Sequence, residues 1–257
     1  MGNDSGTSFS VRRDAQAGQS IGAACPAINV IHRIDHLQPF DRVDSTVCCR
    51  RLSPVGRFLK RALDVAVAAP ALALATPALV AIGAWIRADS PGAALYWQDR
   101  VGKDGRTFRM AKFRTMVAAP VEFNEDGSTR VAAGDPRVTR VGRVLRGGLD
   151  ELPQLWNVVR GDMSLVGPRP DMPVHAAMYT DAERRKLAVR PGMTSLAAVV
   201  GRNQIPWKTR IAIDLGYLER WSLALDAKII AQTLLLPFGV RAFDFESFLA
   251  GTGLERA

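Results

Sequence analysis

Three cysteines are too few for a disulfide-built fold. Cys48 and Cys49 are adjacent and Cys25 stands apart, so neither a fully paired set nor a zinc spacing is available, and the thiols read as reduced and cytosolic. Met1–Ser20 lacks an apolar core, so no secretory signal is expected. Gly6 occupies the position where a myristoylation motif needs Ser or Thr. No recognised nucleic-acid motif is present. His32-Arg33-Ile34-Asp35-His36 has the spacing of a metal motif, but one short match in a polar tail is not taken as a site. Acidic residues are outnumbered, 25 against 34 Lys and Arg, for a net charge of +9. Such a chain calls for an anionic partner: nucleic acid, a membrane surface or phosphorylated substrates.

What the chain does have is length for one substantial domain and one long apolar run. Residues 1–52 are polar, without a sustained period, and are expected to be disordered. Ser53-Pro54 reads as a cap followed by proline at the first helical position. Arg57, Lys60 and Arg61 follow, with Asp64 in ion-pair reach of the last two. Val65 to Ile86 then carries no charge. About 20 such residues can span a bilayer. Basic residues flank both ends, which favours a segment that enters and returns on one face. Pro77 removes a backbone donor, and the Thr76 hydroxyl is placed to help satisfy the freed backbone.

Tyr96–Met116 reads as a small sheet or hairpin, with a turn at Lys103-Asp104-Gly105. On a strand over Thr107–Met116, Lys112 and Arg114 share a face, and two cations side by side suit a pyrophosphate. The central stretch is Leu149 to Asn157. Leu152, Leu155, Trp156 and Val159 have helical spacing, and Gly161 reads as the C-terminal stop. Asp150 is expected at the N-cap and Glu151 at the first helical position, with Pro153 in the first turn. A Gly-Pro-Arg-Pro turn at 167–170 follows. Arg137, Arg140, Arg143, Arg146, Arg160, Arg169 and Arg190 crowd the segment. Two carboxylates ringed by arginines can hold a divalent metal and a phosphorylated substrate together. Further on, Asp171–Lys186 reads as a loop and a polar helix in which His175 is structural or solvated. Ile211–Phe238 has apolar residues at helical spacing, interrupted by Gly216 and suited to a bilayer interface.

Asp150-Glu151-Leu152-Pro153-Gln154-Leu155-Trp156-Asn157-Val158, Gly161-Asp162-Met163-Ser164-Leu165-Val166-Gly167-Pro168-Arg169-Pro170 and Lys112-Phe113-Arg114-Thr115-Met116 closely resemble the bacterial sugar transferases, the monotopic polyprenyl-phosphate phosphoglycosyl transferases. The likeness runs from about Gly56 to Pro237. It implies transfer of a sugar-1-phosphate from a UDP-sugar to undecaprenyl (polyprenyl) phosphate with release of UMP, as the first membrane step of exopolysaccharide, capsule, O-antigen or glycoprotein glycan assembly. It also implies Asp150 as nucleophile and Mg²⁺ ligand, with Glu151 assisting as base or second metal ligand. Lys112, Arg114, Arg137, Arg169, Arg190, Arg202 and Asn203 are the implied phosphate or nucleotide-sugar contacts. Thr76-Pro77 resembles the Ser-Pro bend of the family's helix-break-helix membrane segment.

Two stretches depart from the family pattern. Arg146-Gly147-Gly148-Leu149-Asp150 is one residue shorter than the usual approach to the acidic pair. Ala198 and Val200 stand where Gln and Asn are common. They support the competing expectation, a catalytically impaired membrane-anchored binding or regulatory module of the same fold. The fold class expected is α+β and helix-rich: a tail over 1–52, a re-entrant membrane helix over 53–90, a small cytosolic catalytic domain with interfacial amphipathic helices over 91–238, and a tail over 239–257. The expected place is the cytosolic face of the bacterial inner membrane, monotopic, with membrane lipid as a partner and no nucleic acid. A homo-oligomer stays open.

Overall fold

The computed structural model describes residues 53–117, 134–201 and 205–243. The expectations for the tail at 1–52, for Arg202 and Asn203, and for residues 244–257 lie outside the described residues.

Helix α1 (Pro54–Asp89) starts as its sequence dictates: Pro54 is at N1, and the Ser53 hydroxyl accepts from Gly56 N at 3.0 Å. It is one helical element across Pro70 and Pro77, so the expected break at Thr76-Pro77 is not a loss of helix. Nor does Thr76 donate to Ala73 O, the carbonyl that Pro77 leaves without its usual partner. Its hydroxyl donates to Leu72 O at 2.7 Å, a back-bond of the kind that bends helices. The helix is long and apolar enough to cross a membrane. It packs on the folded body in two places, around Ala68 and around Ile86. Ala68 is buried with Met110, Leu155, Val158 and Met163, and Ile86 with Phe113, Val141 and Leu145. Between them Leu74 is 84% exposed and Val80 67%.

Strands β1 (Leu95–Val101) and β2 (Thr107–Phe113) form the expected antiparallel hairpin, Leu95 opposite Phe113 and Val101 opposite Thr107. The connecting turn carries Asp104 and Gly105 in the left-handed region. β2 stops at Phe113, not Met116, so Arg114 lies beyond the strand that was to align it with Lys112. Its guanidinium instead ties down the end of α1, donating to Ser90 O at 2.7 Å and to Pro91 O.

Helix α2 (Arg140–Leu145) is capped by Thr139, whose hydroxyl accepts from Gly142 N at 2.9 Å. A 3-10 turn (Leu149–Glu151) precedes helix α3 (Gln154–Arg160). The acidic pair therefore sits one turn ahead of the helix it was expected to cap. Gly148 makes this possible: its φ of 127° belongs to glycine, and Pro153 then occupies the cap position of α3. Gly161, with φ 102°, ends α3 as expected.

Strand β3 (Ser164–Val166) pairs in parallel with β4 (Gly192–Thr194), a contact no local signal announced. Helices α4 (Pro173–Ala176) and α5 (Asp181–Arg184), with a 3-10 turn (Arg185–Ala188), lie between them in sequence. Helices α6 (Leu196–Val200), α7 (Trp207–Glu219) and α8 (Leu223–Leu235) follow. Val166, Leu196, Ile213, Tyr217 and Ile229 form their common core. The interruption expected at Gly216 falls instead at Arg220–Ser222. Ser222 caps α8 by accepting from Leu225 N at 3.1 Å, whereas Gly216 is buried inside α7.

Candidate active site

Three segments meet at the acidic pair. The 3-10 turn supplies Asp150 and Glu151, β2 supplies Lys112, and the turn after β3 supplies Arg169. Lys112 Nζ lies 2.7 Å from Glu151 Oε1, and Arg169 Nη2 lies 3.6 Å from the same oxygen. Burial alone would raise the Glu151 carboxyl, but Lys112 and Arg169 outweigh it and hold it below the usual glutamate range. Asp150 differs. It has no side-chain ion pair among the described residues, and burial, reinforced by the Glu151 charge, pushes it up. Lys112 and Arg146 pull the other way more weakly. Glu151 is thus a committed carboxylate, and Asp150 has no ion pair of its own among the described residues beside a cationic wall.

The wall includes one residue that the sequence reading missed. Arg100 on β1 donates to Gln98 Oε1 at 2.7 Å and to Pro170 O at 3.0 Å. Burial, then the neighbouring Arg169 charge, lowers its pKa to about 10. A signal existed: the hairpin register sets Tyr96 opposite Lys112, so Gln98 and Arg100, two and four residues on, share the Lys112 face.

Two supports hold the cluster. Asn157 is fully buried; its Oδ1 accepts from Ala111 N at 2.9 Å and its Nδ2 donates to Arg109 O at 2.8 Å. That clamps α3 to β2, and so fixes Glu151 relative to Lys112. Behind Arg169 lies a buried polar group. Arg169 N donates to Asp214 Oδ2 at 3.1 Å, and Lys186 Nζ bridges Asp171 at 2.7 Å and Asp214 at 3.2 Å. Tyr179 donates its hydroxyl to Asp171, and Val101 N donates to Asp171 O at 2.9 Å. Burial pushes Asp214 up to about 6 against the pull of Lys186. The segment expected to be a loop and a polar helix therefore delivers a buried lysine. His175 is also buried, its ring 5.3 Å from that of Trp207.

Of the expected phosphate contacts, Lys112 and Arg169 come together with the acidic pair. Arg114 holds the end of α1, as above. Arg137 is engaged by Asp135 at 2.6 Å. Arg190 donates to Gly161 O at 2.8 Å and lines a cleft with Arg61 and Lys103. Arg146, whose direction the shortened approach left open, donates to Met116 Sδ at 3.2 Å, and its charge acts on Asp150. Arg61 turns to Val158 O and Val159 O, while Asp64 keeps the expected pair with Lys60 at 3.9 Å and accepts from Ser164 and Leu165 N at 2.7 and 3.1 Å.

Among the described residues no group of three or more His, Cys, Asp or Glu is placed to hold a metal ion. Two adjacent carboxylates are the donor set that Mg²⁺ uses when it takes its other ligands from water and substrate phosphates. The pair fits such a shared ion and not a dedicated protein cage.

A helix-rich α+β body, one long apolar helix and an acidic pair walled by cations define a class. The family model described as Bacterial sugar transferase matches residues 55–239, and the chain belongs to that family. Among its relatives, the exopolysaccharide production protein ExoY of Rhizobium meliloti is 40% identical over 194 residues, 70% of this chain and 86% of its own. The UDP-glucose:undecaprenyl-phosphate glucose-1-phosphate transferase of Caulobacter vibrioides is 44% identical over 186 residues, 68% of each chain. The Escherichia coli protein of the same name is 38% identical over 196 residues, 73% of this chain and 42% of its own.

Proposed function

We propose that this chain is a polyprenyl-phosphate sugar-1-phosphate transferase working through a covalent aspartyl intermediate. The observation that carries the reading is the division of labour in the acidic pair: Lys112 and Arg169 pair with Glu151, and Asp150 has no ion pair among the described residues. An Asp150 oxygen attacks the β-phosphorus of a UDP-sugar. The bond from that phosphorus to the bridging oxygen breaks, and UMP leaves with the electron pair. An oxygen of polyprenyl phosphate then attacks the same phosphorus, the aspartyl–phosphorus bond breaks, and Asp150 is restored. Lys112, Arg169 and Arg100 face the charge that gathers on the phosphoryl oxygens. Mg²⁺, held by Asp150 and Glu151 with the diphosphate, would supply charge neutralisation at the phosphoryl group. UDP-glucose and undecaprenyl phosphate figure in the names of two relatives, which supports these substrate classes.

The acceptor phosphate lies at headgroup level, so the acidic pair must lie there too. A straight helix of 36 residues would run ~54 Å, far beyond a hydrocarbon core of about 30 Å. Yet one folded body holds both ends of α1: Asp64 binds Ser164 and Leu165, while Asp89 accepts from Val141 N at 3.2 Å. With apolar Leu74 and Val80 exposed between those anchors, α1 is read as dipping into the cytosolic leaflet of the bacterial inner membrane and returning. Cysteines placed near 55 and 90 should react from the same side; reaction from opposite sides refutes the dip. The activity is tested by UMP release from a panel of UDP-sugars with undecaprenyl phosphate and Mg²⁺. Release with one sugar supports transfer. No release across the panel favours the impaired module that Ala198 and Val200 suggested.

A further inference from the structure

A second cleft, open to solvent, lies beside the start of α1. None of its lining residues belongs to the Lys112–Glu151–Arg169 cluster. Arg57, Lys60 and Arg61 from α1 line it with Lys103 and Arg190, against one lining carboxylate, Asp64. Its remaining wall is largely apolar, including Val166, Val189, Leu218 and Trp221.

The cations are unequally neutralised. Lys60 is matched by Asp226 at 2.7 Å. Arg61 donates to the carbonyls of Val158 and Val159 at 2.8 and 3.1 Å. Arg190 donates to Gly161 O at 2.8 Å. These acceptors are neutral, so they orient both guanidiniums without cancelling their charge, and the two lie close enough to repel. Asp64 offsets only part of this, because its single negative charge is shared with Lys60, 3.9 Å away. Arg57 has no side-chain partner among the described residues. Lys103 meets exposed Asp104 at 3.8 Å. Fixed, like-charged arginines around an apolar-walled cleft stabilise a bound anion. The cleft also lies at the start of the apolar helix, where a ligand's tail has a bilayer to enter.

We infer that this cleft binds the phosphate of a membrane lipid, at a site separate from the acidic pair. The inference rests on the membrane reading of α1. The phosphate can belong to an anionic glycerophospholipid or to a polyprenyl phosphate; both present the same group on an apolar tail.

The test uses the full chain in neutral detergent, titrated with phosphatidylglycerol, undecaprenyl phosphate or inorganic phosphate and followed by native mass spectrometry. At least one of the two lipids is retained, and the one retained more tightly names the source. Retention weakens by roughly fivefold per charge removed in Arg57→Gln and Lys103→Gln, while Arg57→Lys restores it. Equal retention by wild type and the double variant overturns the site. Inorganic phosphate binding as tightly as either lipid overturns its lipid character. Flotation with phosphatidylcholine vesicles separates the two levels. Failure of wild type to float removes the membrane reading, and this inference with it. Flotation of both proteins with unchanged lipid retention removes the inference alone.

Discussion

Replacing Lys112 by Met keeps most of the stem and deletes the charge that lies 2.7 Å from Glu151. Both side chains are mostly buried, 16% and 24% exposed, so the pair is shielded from much of the solvent screening that weakens surface pairs. A charge-assisted hydrogen bond contributes about 1.5–3 kcal/mol. If that interaction is fully expressed in the transition state, the loss slows turnover roughly 10- to 150-fold, at 1.36 kcal/mol per decade. The pH dependence gives a second, signed readout. In the wild type the Glu151 pKa is lowered, so its stabilising contribution is present above the ordinary glutamate range and fades as pH falls through the lowered value. Without Lys112, the largest charge opposing burial is gone, and the Glu151 pKa rises relative to wild type. The acid limb of log kcat/KM for UMP release should then move to higher pH. A variant within twofold of wild type, with an unmoved acid limb, would refute the assignment of Lys112 and Glu151 to one working unit.

Asn157→Leu leaves Ala111 N–H and Arg109 O without their partner, at about 1–3 kcal/mol for each buried group; thermal unfolding in detergent should show a clear drop in Tm, and an unchanged Tm contradicts the clamp. Gly192→Ala would set a Cβ 2.1 Å from Gly167 N, a backbone atom that cannot swing aside, so the β3–β4 pair should lose about 1–3 kcal/mol by the same measurement. Asp214→Leu frees the Arg169 backbone N–H and leaves Lys186 with Asp171 alone; UMP release should fall at least about tenfold through kcat, with Asp214→Asn recovering part of it because an amide oxygen can still accept. Equal activity of the Leu and Asn variants would show that Asp214 does not position Arg169.

Local signals carried much of the architecture. Ser53-Pro54 started α1 and Gly161 ended α3, because caps are decided within one turn of chain. The β1–β2 hairpin was legible from its short turn. The parallel β3–β4 pair was not, since it joins segments almost 30 residues apart through contacts that neither encodes alone. Gly147-Gly148 raised doubt about how Asp150 is approached; the φ of Gly148 answers it by placing the acidic pair in its own turn. Lys112 and Arg169 were legible from motif and charge. Arg114 and Arg137 were not separable from them in sequence, because a phosphate contact and a carbonyl- or Asp-bound arginine look alike until partners are known. Lys186 was not singled out for the same reason: its partners, Asp171 and Asp214, lie 15 residues before it and 28 after it.

The central claim is that Asp150 carries the phospho-sugar. The most direct measurement mixes the full chain with Mg²⁺ and the UDP-sugar that supports turnover, omits polyprenyl phosphate, and maps the added mass by peptide sequencing in the mass spectrometer. The account predicts one sugar-phosphate adduct on Asp150, discharged by undecaprenyl phosphate and absent from Asp150→Asn. An adduct on another residue, or full turnover by Asp150→Asn, contradicts it.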